Sequence, residues 1–131
     1  MRLLLDTHIA VWAIADDPRL SGKARDLIAD PSNIVFVSTA SLWEIAIKHG
    51  LRRGTPNDMP VSAAEARQYF REAGYEVLDI TQAHTLMLES LPALHADPFD
   101  RMLVAQAMAV PLRLLTHNPR VAAYSDSIIA V

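Results

Sequence analysis

The chain has 131 residues, 51% hydrophobic and 21% charged, with a net charge of -3 and no cysteine. That length suits one domain with a full core, and the composition excludes a disordered chain. Disulfides, thiolate metal sites and cysteine nucleophiles are excluded as well, and the acidic balance argues against a broadly basic nucleic-acid surface, although a local cluster or a bridging metal can still meet phosphates.

No internal repeat or low-complexity tract is visible. Charges break the apolar stretches well short of the ~20 residues that span a bilayer. The start, Met-Arg-Leu-Leu-Leu-Asp, lacks a signal-peptide layout, so a cytosolic protein is expected.

Residues Arg2 to Leu5 read as a buried strand, followed by a helix from about His8 to Ala15 that Asp16-Asp17-Pro18 stops. Ser21 caps a helix to about Ala29, Asp30 to Asn33 is a turn cluster, and Ile34 to Val37 is an unbroken apolar run suited to a parallel strand. A helix follows from about Ala40 to His49, with Gly50 as its expected C-terminal cap, then a loop from Arg52 to Pro60. Ser62 caps a helix to about Ala73 that Gly74 ends. Glu76 to Asp79 is a short strand, and Thr81 caps a helix to about Ser90. After a loop from Leu91 to Ala96, Phe99 to Ala109 is a helix, Leu112 to Thr116 a strand and Ser127 to Val131 a last strand. Such alternation predicts an α/β fold with right-handed crossovers, a mostly parallel sheet and helices on both faces.

On that layout four acids converge on the carboxyl ends of the strands, where open α/β sheets place their ligand crevices. Asp6 closes the first strand, Glu44 lies on the helix after the second, and Asp97 and Asp100 open the helix before the fourth. Each has a structural alternative. Asp6 can cap the first helix, Ser41-Leu42-Trp43-Glu44 fits a capping box, and Asp97-Pro98-Phe99-Asp100 is a full helix-start signature. The box fails if the helix starts at Ser38 or Thr39, which would project Glu44 from the second turn. Asn118-Pro119 repeats the cap-then-proline pattern.

An all-carboxylate cluster is chemistry for a hard cation, Mg²⁺ or Mn²⁺, because like charges brought together without one are costly. The five histidines show no spacing of a metal pair on one helix, and Ser38, Ser41 and Thr7 lack a Gly-flanked nucleophile elbow. Lys48, Arg52 and Arg53 form a local basic strip suited to phosphates, or else a solvated helix end. Trp12 and Trp43 have the neighbours of core or dimer-interface residues rather than of base-stacking platforms.

These pieces together resemble the PIN-domain ribonuclease family and, within it, toxins of the VapC type. The matching stretches are Leu4-Leu5-Asp6-Thr7-His8, Ser41-Leu42-Trp43-Glu44-Ile45 with Lys48 and Gly50, and His95-Ala96-Asp97-Pro98-Phe99-Asp100-Arg101. Leu103 to Ala107 and Leu115-Thr116-His117-Asn118 follow them. The resemblance implies a three-layer α/β/α sandwich, a Mg²⁺- or Mn²⁺-dependent endoribonuclease, a homodimer, and a cognate VapB-type antitoxin whose peptide lies across the acidic groove. It matches Asp6, Glu44 and Asp100 to the family's three core acids, with Asp97 a close neighbour, and Thr7 to the hydroxyl residue beside the first acid. Where the family often has a fourth acid this chain has Asn118, a departure that favours one tightly held metal.

Other readings meet specific obstacles. A phosphoacceptor receiver domain needs a late lysine, whereas the only lysines are Lys23 and Lys48, and haloacid-dehalogenase-type phosphotransfer wants an acid where His8 stands. A non-catalytic binding module would keep the fold but has no use for clustered like charges.

Overall fold

The computed structural model describes residues 1–131. Its core is a five-stranded parallel sheet of order β3-β2-β1-β4-β5, built from β1 (Arg2–Leu5), β2 (Ile34–Ser38), β3 (Glu76–Leu78), β4 (Arg113–Thr116) and β5 (Ile129–Ala130). The order reverses between β1 and β4, so the helices that follow these strands diverge and leave a crevice at the sheet's carboxyl edge.

The strand sequences alternate between two apolar layers, as the period of two requires. Leu3, Leu5, Val35, Val37 and Leu115 face a core covered by α1 (Thr7–Ile14), α2 (Gly22–Ala29) and α4 (Ala63–Glu72). Leu4, Phe36 and Leu114 face a second core covered by α6 (Pro98–Ala109), the one-turn helix α7 (Pro119–Ala122) and the end of α5 (Gln82–Met87), which tightens into a 3-10 turn over Leu88–Ser90. Between the layers, α3 (Thr39–Gly50) sends Ala40 into the second core and Ile45 into the first. This is the α/β/α sandwich expected from the alternation of strand and helix. No helix is long and apolar enough to cross a membrane.

Local signals behave as their chemistry dictates, with three corrections at Gly50, Trp43 and the last strand, and the open choice at the start of α3 is decided. Gly74, at φ 82°, ends α4 with its N–H on the Arg71 carbonyl while the Tyr75 N–H reaches the Phe70 carbonyl, and the Phe70 and Tyr75 rings stack across the turn. Gly50, by contrast, is not a cap: α3 runs through it and ends at Leu51, because the chain continues without a left-handed residue there. The capping box at Ser41 is also absent. Ser38 caps α3 instead, accepting from the Ala40 N–H, and Glu44 therefore projects from the second turn. Trp43 is not a core residue, being 59% exposed with Phe99 edge-on against it. The last strand is shorter than expected, because only Ile129 and Ala130 reach β4.

A polar chain ties the sheet to its second layer. The buried Ser38 hydroxyl donates to Gln106 Oε1 at 2.5 Å, and the Gln106 amide lies 3.3 Å from Nδ1 of buried His84, which also accepts the Thr81 N–H. Replacing Gln106 by leucine strands these partners in a dry layer, so Gln106→Leu is expected to lose about 1–3 kcal/mol of stability. Urea denaturation checks this, and an unshifted midpoint would contradict it.

Candidate active site

Asp6 leaves β1 directly into α1 and is only 3% exposed. Its two oxygens face different elements. Oδ1 accepts from the Ile9 N–H at 2.9 Å and caps α1, while Oδ2 accepts from the Thr116 hydroxyl at 2.6 Å, across to the end of β4. The cap and a place at the crevice are therefore not alternatives, since one carboxylate does both. Thr116 in turn accepts the Asn118 N–H, and Asn118 caps α7 by accepting from the Arg120 N–H.

Glu44 is 3% exposed as well. Its Oε2 pairs with the half-exposed Lys48 ammonium at 2.5 Å, one helical turn on, while Oε1 is buried with no partner. A buried carboxylate oxygen without a donor carries a desolvation cost that a cation would relieve. Beneath this residue the Thr7 hydroxyl donates to Ser41 Oγ at 2.9 Å, a buried bond that holds the start of α1 against α3. Thr7 thus lies inside the wall of the crevice rather than on its surface.

Asp97 and Asp100 divide the start of α6 between them. Asp97 Oδ1 accepts both the Phe99 and the Asp100 N–H, so it is a complete cap. Asp100 does not cap. Its Oδ2 meets His95 Nε2 at 2.8 Å, while Nδ1 of the same ring is buried without a partner. Burial pushes the Asp100 carboxyl above its ordinary value of 3.8; the His95 contact pulls it down, and the charges of Asp97, Asp6 and Glu44 push it further up. The four acids are thus close enough to feel one another.

They do not form a closed ligand set, and no three of the chain's carboxylates and imidazoles stand in a metal-holding group. Each acid is turned to a partner of its own, Asp6 to Thr116, Glu44 to Lys48 and Asp100 to His95. A separate partner for each acid offsets part of the cost of the crowded charge. The donor set, all hard oxygen with one buried atom unpartnered, fits a divalent cation such as Mg²⁺ or Mn²⁺.

Of the basic strip, Lys48 alone is drawn to the acids. Arg52 folds back on the His49 ring and carbonyl at the end of α3, and the Arg53 backbone N–H binds Asp58. Two participants escaped the sequence reading, His95 and Thr116. Both stand in stretches that carry the family resemblance, yet no local pattern gave either a role, since His95 belongs to no histidine pair and Thr116 simply ends a strand.

The sequence profile of the PIN domain matches residues 3–126. The chain belongs to the PIN domain family. Its fold is similar to that of VapBC2 from Rickettsia felis bound to a DNA fragment from its promoter, with a TM-score of 0.69 and 18% identity over 100% of this chain and 98% of the other. It is also similar to DNA-bound VapBC from Salmonella typhimurium, with a TM-score of 0.68 and 16% identity over 100% and 97% of the two chains. A toxin-antitoxin complex from Klebsiella pneumoniae gives a TM-score of 0.63 and 19% identity over 98% and 96%. At such identities the likeness is one of fold. A search of curated proteins returned no match.

The raised Asp100 pKa has a consequence for stability. A carboxyl whose folded pKa exceeds its unfolded one favours folding while protonated, and that contribution is lost as pH rises through the folded value. Removing the charge should therefore help at neutral pH. In EDTA, Asp100→Asn is expected to melt higher than the parent at pH 7, with the gain shrinking as the pH approaches 4. A lower melting temperature at pH 7, or a gain that grows on acidification, would contradict the electrostatic account.

Proposed function

We propose that this chain is a Mg²⁺- or Mn²⁺-dependent endoribonuclease that acts as the toxin of a VapBC-type toxin-antitoxin pair. The observation that carries the reading is the convergence of Asp6, Glu44 and Asp100, from three different elements, on the carboxyl edge of a PIN-domain sheet, where burial first and the neighbouring acids second raise the Asp100 pKa. Asp6, Asp100 and Glu44 would hold the metal, with Asp97 beside them. When bound, such a cation lowers the pKa of water for attack on a phosphodiester and neutralises the charge that builds on the leaving oxygen.

The chain's own residues account for the rest. Thr116 holds Asp6 in place, His95 orients Asp100, and the Thr7 to Ser41 bond fixes the entry of α1 beside the Glu44 helix. Lys48 is positioned to exchange its Glu44 partner for a phosphate once a cation takes the carboxylate, with Arg52 further along the same helix end. Thr7, from inside the wall, acts on substrate through the backbone it positions.

Toxin activity implies a partner. The solved VapBC relatives are toxin-antitoxin assemblies, and a VapB-type antitoxin for this chain would present a guanidinium to the same carboxylates, since arginine matches them bidentately. A homodimer and a cytoplasmic location complete the reading.

Cleavage of RNA by the purified protein in Mg²⁺ tests it. Asp6→Asn and Asp100→Asn are each expected to abolish cleavage with the fold preserved, as read by circular dichroism; undiminished cleavage by either would sink the mechanism. Asp97→Asn should keep most activity, because asparagine caps nearly as well as aspartate. A loss as deep as that of Asp100→Asn would make Asp97 a ligand rather than a cap.

A further inference from the structure

A cleft of about 460 Å³ opens beside the acids, between α1 and the segment from Lys48 to Pro60. That volume lies in the range of roughly 300–1,000 Å³ typical of ligand sites. Two of its lining residues connect it to the acids, His8 along the chain and Lys48 by its ion pair. His8 stands two residues after Asp6, Trp12 one turn further along α1, and Lys48 is the ion-pair partner of Glu44.

The lining combines aromatic and apolar residues with two cations and two carboxylates. Val11 and Met59 form its apolar part. The Trp12 indole is half-buried, tilted 52° against the His117 ring at 4.8 Å, with the Arg19 guanidinium 5.2 Å over it; the exposed His8 ring lies 5.9 Å from Trp12. Both carboxylates of the cleft are already engaged. Asp17 is held by the Arg19 guanidinium, at a pKa lowered to about 2, and Asp58 by the N–H groups of Arg53, Gly54 and Thr55. What the cleft leaves for a ligand is aromatic surface, beside two cations that are themselves paired, Arg19 with Asp17 and Lys48 with Glu44.

We propose that this cleft is a base-stacking subsite for RNA, taking one nucleobase of the strand next to the scissile phosphate against Trp12 and His8, with Lys48 on the adjoining phosphate. It rests on the nuclease reading above and adds the place where the strand is gripped. A ring stack open to solvent, with Lys48 shared between the cleft and Glu44, matches a nucleotide's planar base and anionic linkage. Arg19 and His117 act by holding the Trp12 indole in position. Trp12 packs partly against the first core, as expected of it, and the proposal adds a role for its open face.

The test exploits the chain's having two tryptophans, Trp12 and Trp43. In a Trp43→Phe, Asp100→Asn protein, Trp12 is the sole indole and strands are bound without being cut. Its fluorescence is titrated in Mg²⁺ with a hexanucleotide RNA and with an abasic hexamer of the same backbone, while cleavage by the parent protein is read in the same buffer. Saturable quenching by the RNA and not by the abasic strand is expected, with His8→Ala weakening RNA binding about tenfold and Trp12→Leu at least as much. His8 is exposed, so its variant keeps the fold even if the Trp12 variant does not.

Active parent protein with no quenching, or with equal binding of the abasic strand, would overturn the subsite and leave the nuclease reading standing. Quenching in a protein whose parent cuts no RNA would keep the subsite and remove the nuclease. An indole that ignores RNA but is quenched by the C-terminal peptide of a VapB-type antitoxin would assign the cleft to a protein partner and overturn the proposal.

Discussion

Repulsion among buried carboxylates is the constraint around which this molecule is arranged. Asp6 and Glu44 are almost fully buried and Asp100 is partly so; burial raises the Asp100 pKa, and the charges of Asp97, Asp6 and Glu44 add to the rise. Folding gains nothing from such a group, since removing carboxylates from water is costly and crowding them adds to that cost. The structure answers with one compensating contact per acid, of three different kinds: a neutral hydroxyl for Asp6, an ammonium for Glu44 and an imidazole for Asp100. Only the Lys48 contact brings a permanent opposite charge, and its ammonium is half in water, so the pair is worth less than its short distance suggests. The buried Glu44 oxygen left without a partner marks where compensation stops.

The sheet order explains why these acids meet at all. In a parallel sheet of order β3-β2-β1-β4-β5 the chain returns across β1 to reach β4, so the ends of β1 and β4 are neighbours although 110 residues separate Asp6 from Thr116. The helix after β2 and the helix before β4 then flank the same edge. Fold and site are thus one consequence of strand order, and the helix starts at Thr7 and Pro98 supply local field as well, since their N-terminal dipoles favour the anions placed there.

Much of this was legible in the chain. The apolar runs at residues 3 to 5 and 34 to 37 announced buried parallel strands, and Asp97-Pro98 announced the start of α6, because these signals are local and their physics is unopposed. The start of α3 was ambiguous for a local reason: Ser38 and Ser41 both qualify as caps, and only the end of β2 at Ser38 decides between them. Gly50 misled because glycine marks a helix end only when the next turn needs a left-handed residue, and here the chain passes on through Leu51. What the sequence could not show were contacts between distant segments, such as Thr7 with Ser41, Ser38 with Gln106 and Thr116 with Asp6. Such pairs carry no periodicity. Trp12 and Trp43 illustrate the same limit, for neither hydrophobicity nor neighbours distinguish a tryptophan sealed in a layer from one facing a cleft or solvent.

Those distant contacts also separate the geometry of the crevice from its charge. Thr7 bonded to Ser41 fixes α1 against α3, and the backbone N–H of Asp6 donates to the Leu115 carbonyl, so β1 and β4 are locked at the point where the first acid emerges. Asp97 satisfies two amides of α6 whatever Asp100 does. None of these bonds requires a cation or an ionised Asp100. Each acid is therefore held by a rigid element with its own support, and changes in charge state or occupancy fall on side-chain partners that can be exchanged. Lys48 is the most exchangeable of them, being half-exposed, and it lines the aromatic cleft while paired with Glu44. A site that is stiff in its backbone and loose in its counterions can take up a cation and a polyanion without refolding, whereas acids carried on mobile loops would have to be ordered at binding, at a cost in entropy.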